Sequence, residues 1–386
     1  MKTLTLDYLP ESVRRKDGWL ITLIKRKFYA NFSNLEHGNI IFIDGDFTLQ
    51  CGNSAEPAAT VDVHDDRFYT TLAAGGAVGA SEAYMQGMWT CDQLTLLVQV
   101  LLRNTSVLRG LGNAAYKKPL YKLLHLMNRD SVDGSKKNIS AHYDLGNKLF
   151  ENFLDPTMTY SSGFFEQSDS TMQQASTAKL DRICQKLALS ESDHVVEIGT
   201  GWGSFALHAA RNYNCKITTT TISEEQYQLA CQRVKDAGMQ DRIEIVKKDY
   251  RLLTGQYDKL VSIEMIEAVG LAYLGNYFEK CASLLKPAGK MLIQAITIAD
   301  QQYEFSKRNV DFIQRYIFPG GALPSVTALT NTATNKTDLR MTALEDITGH
   351  YATTMRKWRE KFYLNVEQIT ELGYDNRFLR MWEYYL

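Results

Sequence analysis

The chain reads as an α/β protein, with a doubly wound, mostly parallel sheet in its larger C-terminal part and a smaller α+β domain before it. Three observations predict this. Val195 to Gly203, VVEIGTGWG, is a short apolar β-branched run that breaks into closely spaced glycines and then continues as Ser204-Phe205-Ala206-Leu207-His208-Ala209-Ala210-Arg211, a helical pattern. Through residues 180–300, apolar strand patterns alternate with helical ones, the signature of a parallel sheet covered on both faces. Residues 30–70 show instead short alternating strands with turn signals, followed by helical runs to about residue 102, and a basic, turn-rich stretch (Lys117, Lys118, Lys122, then Asp133-Gly134-Ser135-Lys136-Lys137) follows as a linker. Two domains, 1–135 and 136–386, are therefore expected, in keeping with a length of 386 residues.

The composition, 45% hydrophobic and 23% charged, is that of an ordinary globular protein. A net charge of −1 supplies no global field toward nucleic acid or anionic lipid, and no nucleic-acid partner is expected. Six cysteines (Cys51, Cys91, Cys184, Cys215, Cys231, Cys281) lie without C-x-x-C spacing, which suits neither a metal site nor a disulfide framework and points to a reducing cytosol. No signal peptide is read at the N-terminus. Trp19 to Ile24 is too short to cross a bilayer; between Arg14-Arg15-Lys16 and Lys25-Arg26-Lys27 it reads as an amphipathic helix, packed on its own domain in preference to lying on a membrane surface.

In chain order, Gly38 to Asp46 is a strand ending in an Asp-Gly hairpin turn, and Val61-Asp62-Val63-His64 alternates in the same way. Arg67–Leu72, Ala80–Gln86 and Leu94–Leu102 are helical. At the glycine turn the spacing is G-x-G-x-G with the acid, Glu197, ahead of it. A dinucleotide fingerprint needs G-x-G-x-x-G with the acid about 20 residues later, and a phosphate loop needs Lys-Ser/Thr, so neither fits. Gly199, Gly201 and Gly203 let the backbone approach a ligand closely, and Glu197 would sit near a cationic or amine group. The pattern resembles the first motif of class I S-adenosylmethionine (SAM) methyltransferases.

Cys215–Ser223 forms a second strand, with Ser223 capping the helix that begins at Glu224. Ile243–Val246, Lys259–Ile263 and Met291–Ile296 follow as strands, with Glu264 and Glu267 at the carboxyl end of the fourth. Ahead of this sheet lies the polar-aromatic stretch His142-Tyr143-Asp144-Leu145-Gly146-Asn147, then Leu154-Asp155-Pro156-Thr157-Met158-Thr159-Tyr160-Ser161-Ser162, material for a pocket wall. With the glycine turn, with Tyr316-Ile317-Phe318-Pro319-Gly320-Gly321-Ala322-Leu323-Pro324-Ser325 and with Gly349-His350-Tyr351, these motifs resemble the cyclopropane fatty acid synthase family over roughly residues 138–386. Ser81 to Trp89 is similar to the N-terminal domain of its longer, phospholipid-acting members.

The resemblance implies a seven-stranded, Rossmann-like sheet and SAM as methyl donor, held by Tyr160, Ser161, Glu197, Gly199, Gly201, Gly203, Thr221, Gln226, Asp249 and Tyr250. Asp249 would take the adenine amine, or alternatively pair with Arg251. It implies a methylene transfer to the cis double bond of an unsaturated phospholipid acyl chain, in a dry, aromatic pocket with one base in reach. In the family that base is a bound bicarbonate ion. Its positions fall here on Ser162, Glu267, Gln294, Ile296 and Tyr351, with Ser162 standing where the family has Cys, Gln294 where it has His, and Ala268 where a further His is usual. Gln294 cannot titrate as His does; the resemblance implies bicarbonate as a ligand, and a methyl-branched or methylene product is the alternative. A homodimer, cytoplasmic and attached to the inner face of the membrane, and a helical tail beyond Leu386 are further implications. A dead SAM- or lipid-binding protein and a small-amine methyltransferase are disfavoured by the retained Glu197, Glu267 and Tyr351 and by the aromatic Tyr160 region.

Overall fold

The computed structural model describes residues 19–107, 119 and 146–386, so Arg14-Arg15-Lys16, the linker and the His142–Leu145 motif lie outside the described residues. The chain divides into two compact units, the smaller of which joins the N-terminal residues to Val310–Tyr316 and Tyr374–Tyr385. The sequence reading divides the chain only once; the structure returns it to the first unit twice.

In the smaller unit, α1 (Trp19–Phe32) precedes β1 (Asn39–Asp44), β2 (Phe47–Gly52) and β3 (Ala58–Val63). Then come α2 (Arg67–Gly75), α3 (Ala77–Met85), β4 (Trp89–Cys91) and α4 (Leu94–Arg103). The expected hairpin is present: Asp44 pairs with Phe47 across a two-residue Gly45-Asp46 turn, and Gly45 has φ 59°. The sheet order is β2-β1-β3-β4. Phe28, Tyr29 and Phe32 of α1 pack into its core with Phe42 and Phe68, so α1 covers its own domain as expected, although Trp19 and Leu23 stay exposed. Within that core Lys25 is buried and bridges Asp44 at 3.0 Å and Asp66 at 2.7 Å, while the Tyr69 hydroxyl donates to Asp44 at 2.7 Å. The Ser81–Trp89 motif anchors the returning segments. The Tyr316 hydroxyl donates to Glu82 at 2.7 Å, and Arg380 donates to the carbonyls of Tyr84 and Trp89 at 2.6 and 2.8 Å.

The larger unit contains α5 (Asn147–Glu151) and α6 (Met172–Leu187), then β5 (His194–Ile198), α7 (Ser204–Tyr213), β6 (Lys216–Thr221), α8 (Glu224–Asp236) and β7 (Ile243–Lys247). It continues through β8 (Tyr257–Ile263), α9 (Leu274–Leu284), β9 (Leu285–Gln294), α10 (Asp300–Arg308), α11 (Val326–Lys336), α12 (Thr348–Leu364) and α13 (Val366–Glu371). The last helix, α14 (Asn376–Tyr385), belongs to the smaller unit. All five strands run parallel in the order β7-β6-β5-β8-β9. The fold class is as expected, but the described residues form five strands rather than the seven the resemblance implied; Leu339 to Glu345 run without regular structure and β9 is a sheet edge. Successive residues of β5 face opposite layers, Val195 packing with Ile183 and Phe205, Val196 with Ile266 and Phe278, as the two-residue period of a strand requires. The chain leaves β5 toward β6 and β7, then returns to β8 on β5's other side. The β5–β8 junction is therefore the switch point, where the carboxyl ends of an open α/β sheet form a crevice.

Candidate active site

At that crevice the turn after β5 meets the turn after β8. Gly199, Gly201 and Gly203 have φ of 99°, 52° and 85°, a region that residues with a Cβ rarely enter. A Cβ built on Gly199 would lie 3.3 Å from the Met265 side chain, whereas one on Gly201 would meet no protein atom within 4 Å and would point into open space. The turn is held to β6, with Gly199 N–H and Thr200 N–H both donating to the Thr220 carbonyl at 3.1 and 3.0 Å. Beneath it Glu197 is 2% exposed and accepts from the Thr219 hydroxyl at 2.6 Å. Burial pushes its carboxyl up to about 8 against the pull of that hydrogen bond and of Lys179. A buried acid with one hydroxyl partner, beside a turn open to close approach, fits a ligand carrying positive charge or an amine.

Thr221 and Gln226, also expected to line this side, bond each other at 3.0 Å, and Ser223 caps α8 by accepting from Gln226 N–H at 3.3 Å. Asp249 is buried, and its two oxygens take Arg251 Nε at 2.8 Å and an Arg251 terminal nitrogen at 2.6 Å. Of the two readings of Asp249, the ion pair is therefore the one the geometry displays. Tyr250 lies edge-on to Tyr277 with ring centres 5.6 Å apart.

Tyr160 stands inside an aromatic cage of Phe150, Phe153, Trp358 and Phe318, with ring centres 5.3, 6.0, 5.2 and 6.3 Å away. Trp202, from the glycine turn, joins it 4.9 Å from Phe150 and donates to Asn147 at 2.7 Å. Beyond the cage, Ser161 accepts from Lys179 Nζ at 2.7 Å, Gly163 N–H donates to the Thr354 hydroxyl at 3.0 Å and Phe165 N–H to His350 Nδ1 at 3.1 Å. Helix α12 thus clamps the 163–165 segment of the wall, and Tyr351 follows His350 on the same helix.

Of the expected catalytic positions, Glu267 and Ile296 meet directly, while Ser162 and Gln294 meet at a different carboxylate. Glu267 sits in a short 3₁₀ turn (Ile266–Ala268) after β8; its Oε1 accepts from Ile296 N–H and its Oε2 is buried with no hydrogen-bond partner among the described residues. Burial, reinforced by the charge of Glu264, pushes its carboxyl up to about 8. Ala322 N–H donates to the Glu267 carbonyl at 2.9 Å, which ties the Phe318–Ser325 loop to this turn. Among the described residues no hydrogen bond joins Ser162 or Gln294 to Glu267. Both serve Glu264, whose Oε1 accepts from Ser162 N–H at 2.9 Å and from Gln294 Nε2 at 2.8 Å.

Two residues of this site went unassigned in the sequence. Glu264 was visible only as the first of two acids after a strand, a place where glutamates commonly face solvent. Lys179 had a signal: it falls in the buried stripe of α6 (Ala175, Ser176, Leu180, Ile183, Cys184, Leu187) where a lysine is out of place. It is 3% exposed, and burial lowers its ammonium to about 8 despite the acids Glu264, Asp155 and Glu197 near it.

A switch-point crevice with an open glycine turn, a buried acid and an aromatic wall defines a SAM-dependent methyltransferase. The sequence profile described as mycolic acid cyclopropane synthetase matches residues 131–386, and the chain belongs to that family. It is 37% identical over 359 residues to the tuberculostearic acid methyltransferase of Mycobacterium tuberculosis, spanning 90% of this chain and 82% of that one. It is 34% identical over 339 residues to the cyclopropane-fatty-acyl-phospholipid synthase of Escherichia coli, spanning 86% and 84%. Among solved structures, the mycolic acid cyclopropane synthase CmaA1 complexed with SAH and CTAB superposes with a TM-score of 0.60 at 30% identity, over 64% of this chain and 90% of that one.

Proposed function

We propose that the protein is a cyclopropane-fatty-acyl-phospholipid synthase that transfers a methylene group from SAM to the cis double bond of an unsaturated phospholipid acyl chain. The observation that carries this reading is the pairing of an aromatic cage around Tyr160 with two carboxyl groups, Glu264 and Glu267, at the same sheet end as the open glycine turn. SAM supplies an electrophilic methyl on a sulfonium, strong enough for an isolated double bond to attack.

The chain's residues then have separate tasks. Gly199, Gly201 and Gly203 admit the donor's backbone-hugging end, and Glu197, with Tyr160, Ser161, Thr221, Gln226, Asp249 and Tyr250 around it, sets its orientation. The rings of Phe150, Phe153, Tyr160 and Trp358 keep water from the acyl chain and offer π faces to developing positive charge. Glu267 lies in the proton-handling part of the site, fixed by Ile296, with Ser162 and Gln294 on the neighbouring Glu264 and Tyr351 as a further member of this part. No helix among the described residues is long and apolar enough to cross a membrane, so the acyl chain would be reached from a membrane surface, by a homodimer in this proposal.

A second reading is a lipid methyltransferase giving methyl-branched or methylene chains. The 37% identity to the tuberculostearic acid methyltransferase favours it, as does the replacement of His by Gln294. Incubating the protein with SAM and oleoyl phospholipid vesicles separates the two: cyclopropyl proton signals in the extracted fatty esters support the synthase, and a branched or methylene chain without them supports the methyltransferase.

A further inference from the structure

We propose that Glu264 is the enzyme's own proton acceptor and stands where the family resemblance gives a bound bicarbonate ion. The inference rests on the acyl-chain chemistry proposed above and holds for a cyclopropane or a methylene chain, since both require a proton to leave.

The donors decide it. Of the positions assigned to bicarbonate, Ser162 N–H and Gln294 Nε2 both point at Glu264 Oε1, at 2.9 and 2.8 Å, and Ile296 N–H is taken by Glu267. The Ser162 hydroxyl is turned away, donating to the Gly163 carbonyl at 3.0 Å. A free anion would find these four donors occupied and two carboxyl groups beside it, so bicarbonate does not fit this site. The carboxylate is built in instead. Both hydrogen bonds fall on Oε1, which leaves Oε2 without one among the described residues.

Glu264 is also held against its own backbone preference. Its φ is 45°, a left-handed conformation that a glutamate rarely adopts, and its N–H is pinned to the Gln294 carbonyl at 2.8 Å. That geometry turns the side chain back across the sheet end, toward Ser162 and Gln294. Burial raises its carboxyl above the usual range, opposed by the Ser162 N–H, by Lys179 and by Gln294, which favour the ionised form. Two N–H donors fall on Glu264, whereas Glu267 accepts only from Ile296 N–H and its Oε2 has no partner among the described residues, so Glu264 is the better-stabilised carboxylate of the pair and serves as the base.

The step balances without a further reagent. The alkene π pair forms the new carbon–carbon bond to the methyl, and the sulfur–carbon pair stays on sulfur, giving S-adenosylhomocysteine. Glu264 then takes one proton from the transferred methyl, and the released C–H pair closes the ring on the cationic neighbouring carbon.

Three forms of the full chain test this with oleoyl phosphatidylglycerol vesicles in CO₂-free buffer. Wild-type turnover is expected to be unchanged by added bicarbonate. Glu264→Gln keeps an oxygen to accept from Ser162 and Gln294 but cannot take a proton, and should lose about 100-fold or more in turnover with SAM affinity retained. Glu264→Gly suits the positive φ, frees the donors, and should be inactive until bicarbonate restores part of the rate. A wild type that stops without bicarbonate, or a Gln variant that keeps its rate, overturns the proposal. Line broadening of ¹³C-bicarbonate, which needs no lipid turnover, separates this from a failure of the function itself: broadening by Glu264→Gly alone supports the proposal, and broadening by the wild type contradicts it.

Discussion

Glu267 and Glu264 lie three residues apart, and the protein treats them differently. Glu267 loses hydration and faces a second carboxyl, so its proton is held to about 8 in the fold against an ordinary 4.5. Between those values the folded chain binds more protons than the unfolded one, so this group's contribution to stability is complete below about pH 4.5 and is lost as pH rises through about 8. Urea midpoints compared at about pH 5 and about pH 8 should fall with rising pH, and Glu267→Gln should flatten that slope. The same variant should lower turnover by about 100-fold with little change in SAM affinity, and an equal loss of both would remove Glu267 from proton handling. Lys179→Met removes a charged hydrogen bond to Ser161 worth roughly 1.5–3 kcal/mol and should lower the melting temperature together with SAM affinity.

Turns and caps carry the next scale. Gly201→Val adds a Cβ where the structure has open space but at a φ of 52°, so its cost is backbone strain and a blocked approach. Calorimetric titration should show SAM binding lost while the protein still folds. Helix α6 starts with a capping box, Thr171 and Gln174 serving each other's backbone, and Thr171→Ala should cost about 1 kcal/mol in urea unfolding. These elements were legible because their signals are local: apolar runs of β-branched residues, Asp44-Gly45-Asp46 at a hairpin, Ser223 before a helix. Glu264 and Lys179 were not legible in the same way. Whether an acid after a strand faces water or Ser162 and Gln294 depends on where residues more than 100 positions distant, or on another strand, are brought by the fold.

At the scale of the molecule, the alternation of strand and helix predicted the parallel sheet, and the switch point followed from its strand order. The return of Val310–Tyr316 and Tyr374–Tyr385 to the smaller unit was hidden, because it depends on partners such as Tyr316 with Glu82 and Arg380 with Tyr84 that no local pattern announces. The central claim is that one carbon is delivered from SAM to an acyl double bond and loses a proton there. Methyl-deuterated SAM tests it most directly. Incubated with oleoyl phospholipid vesicles, the protein should yield a fatty ester that carries two of the three methyl deuteriums and shows cyclopropyl signals by NMR. A product retaining all three deuteriums in an open methyl branch, or an acyl chain with none, would contradict it.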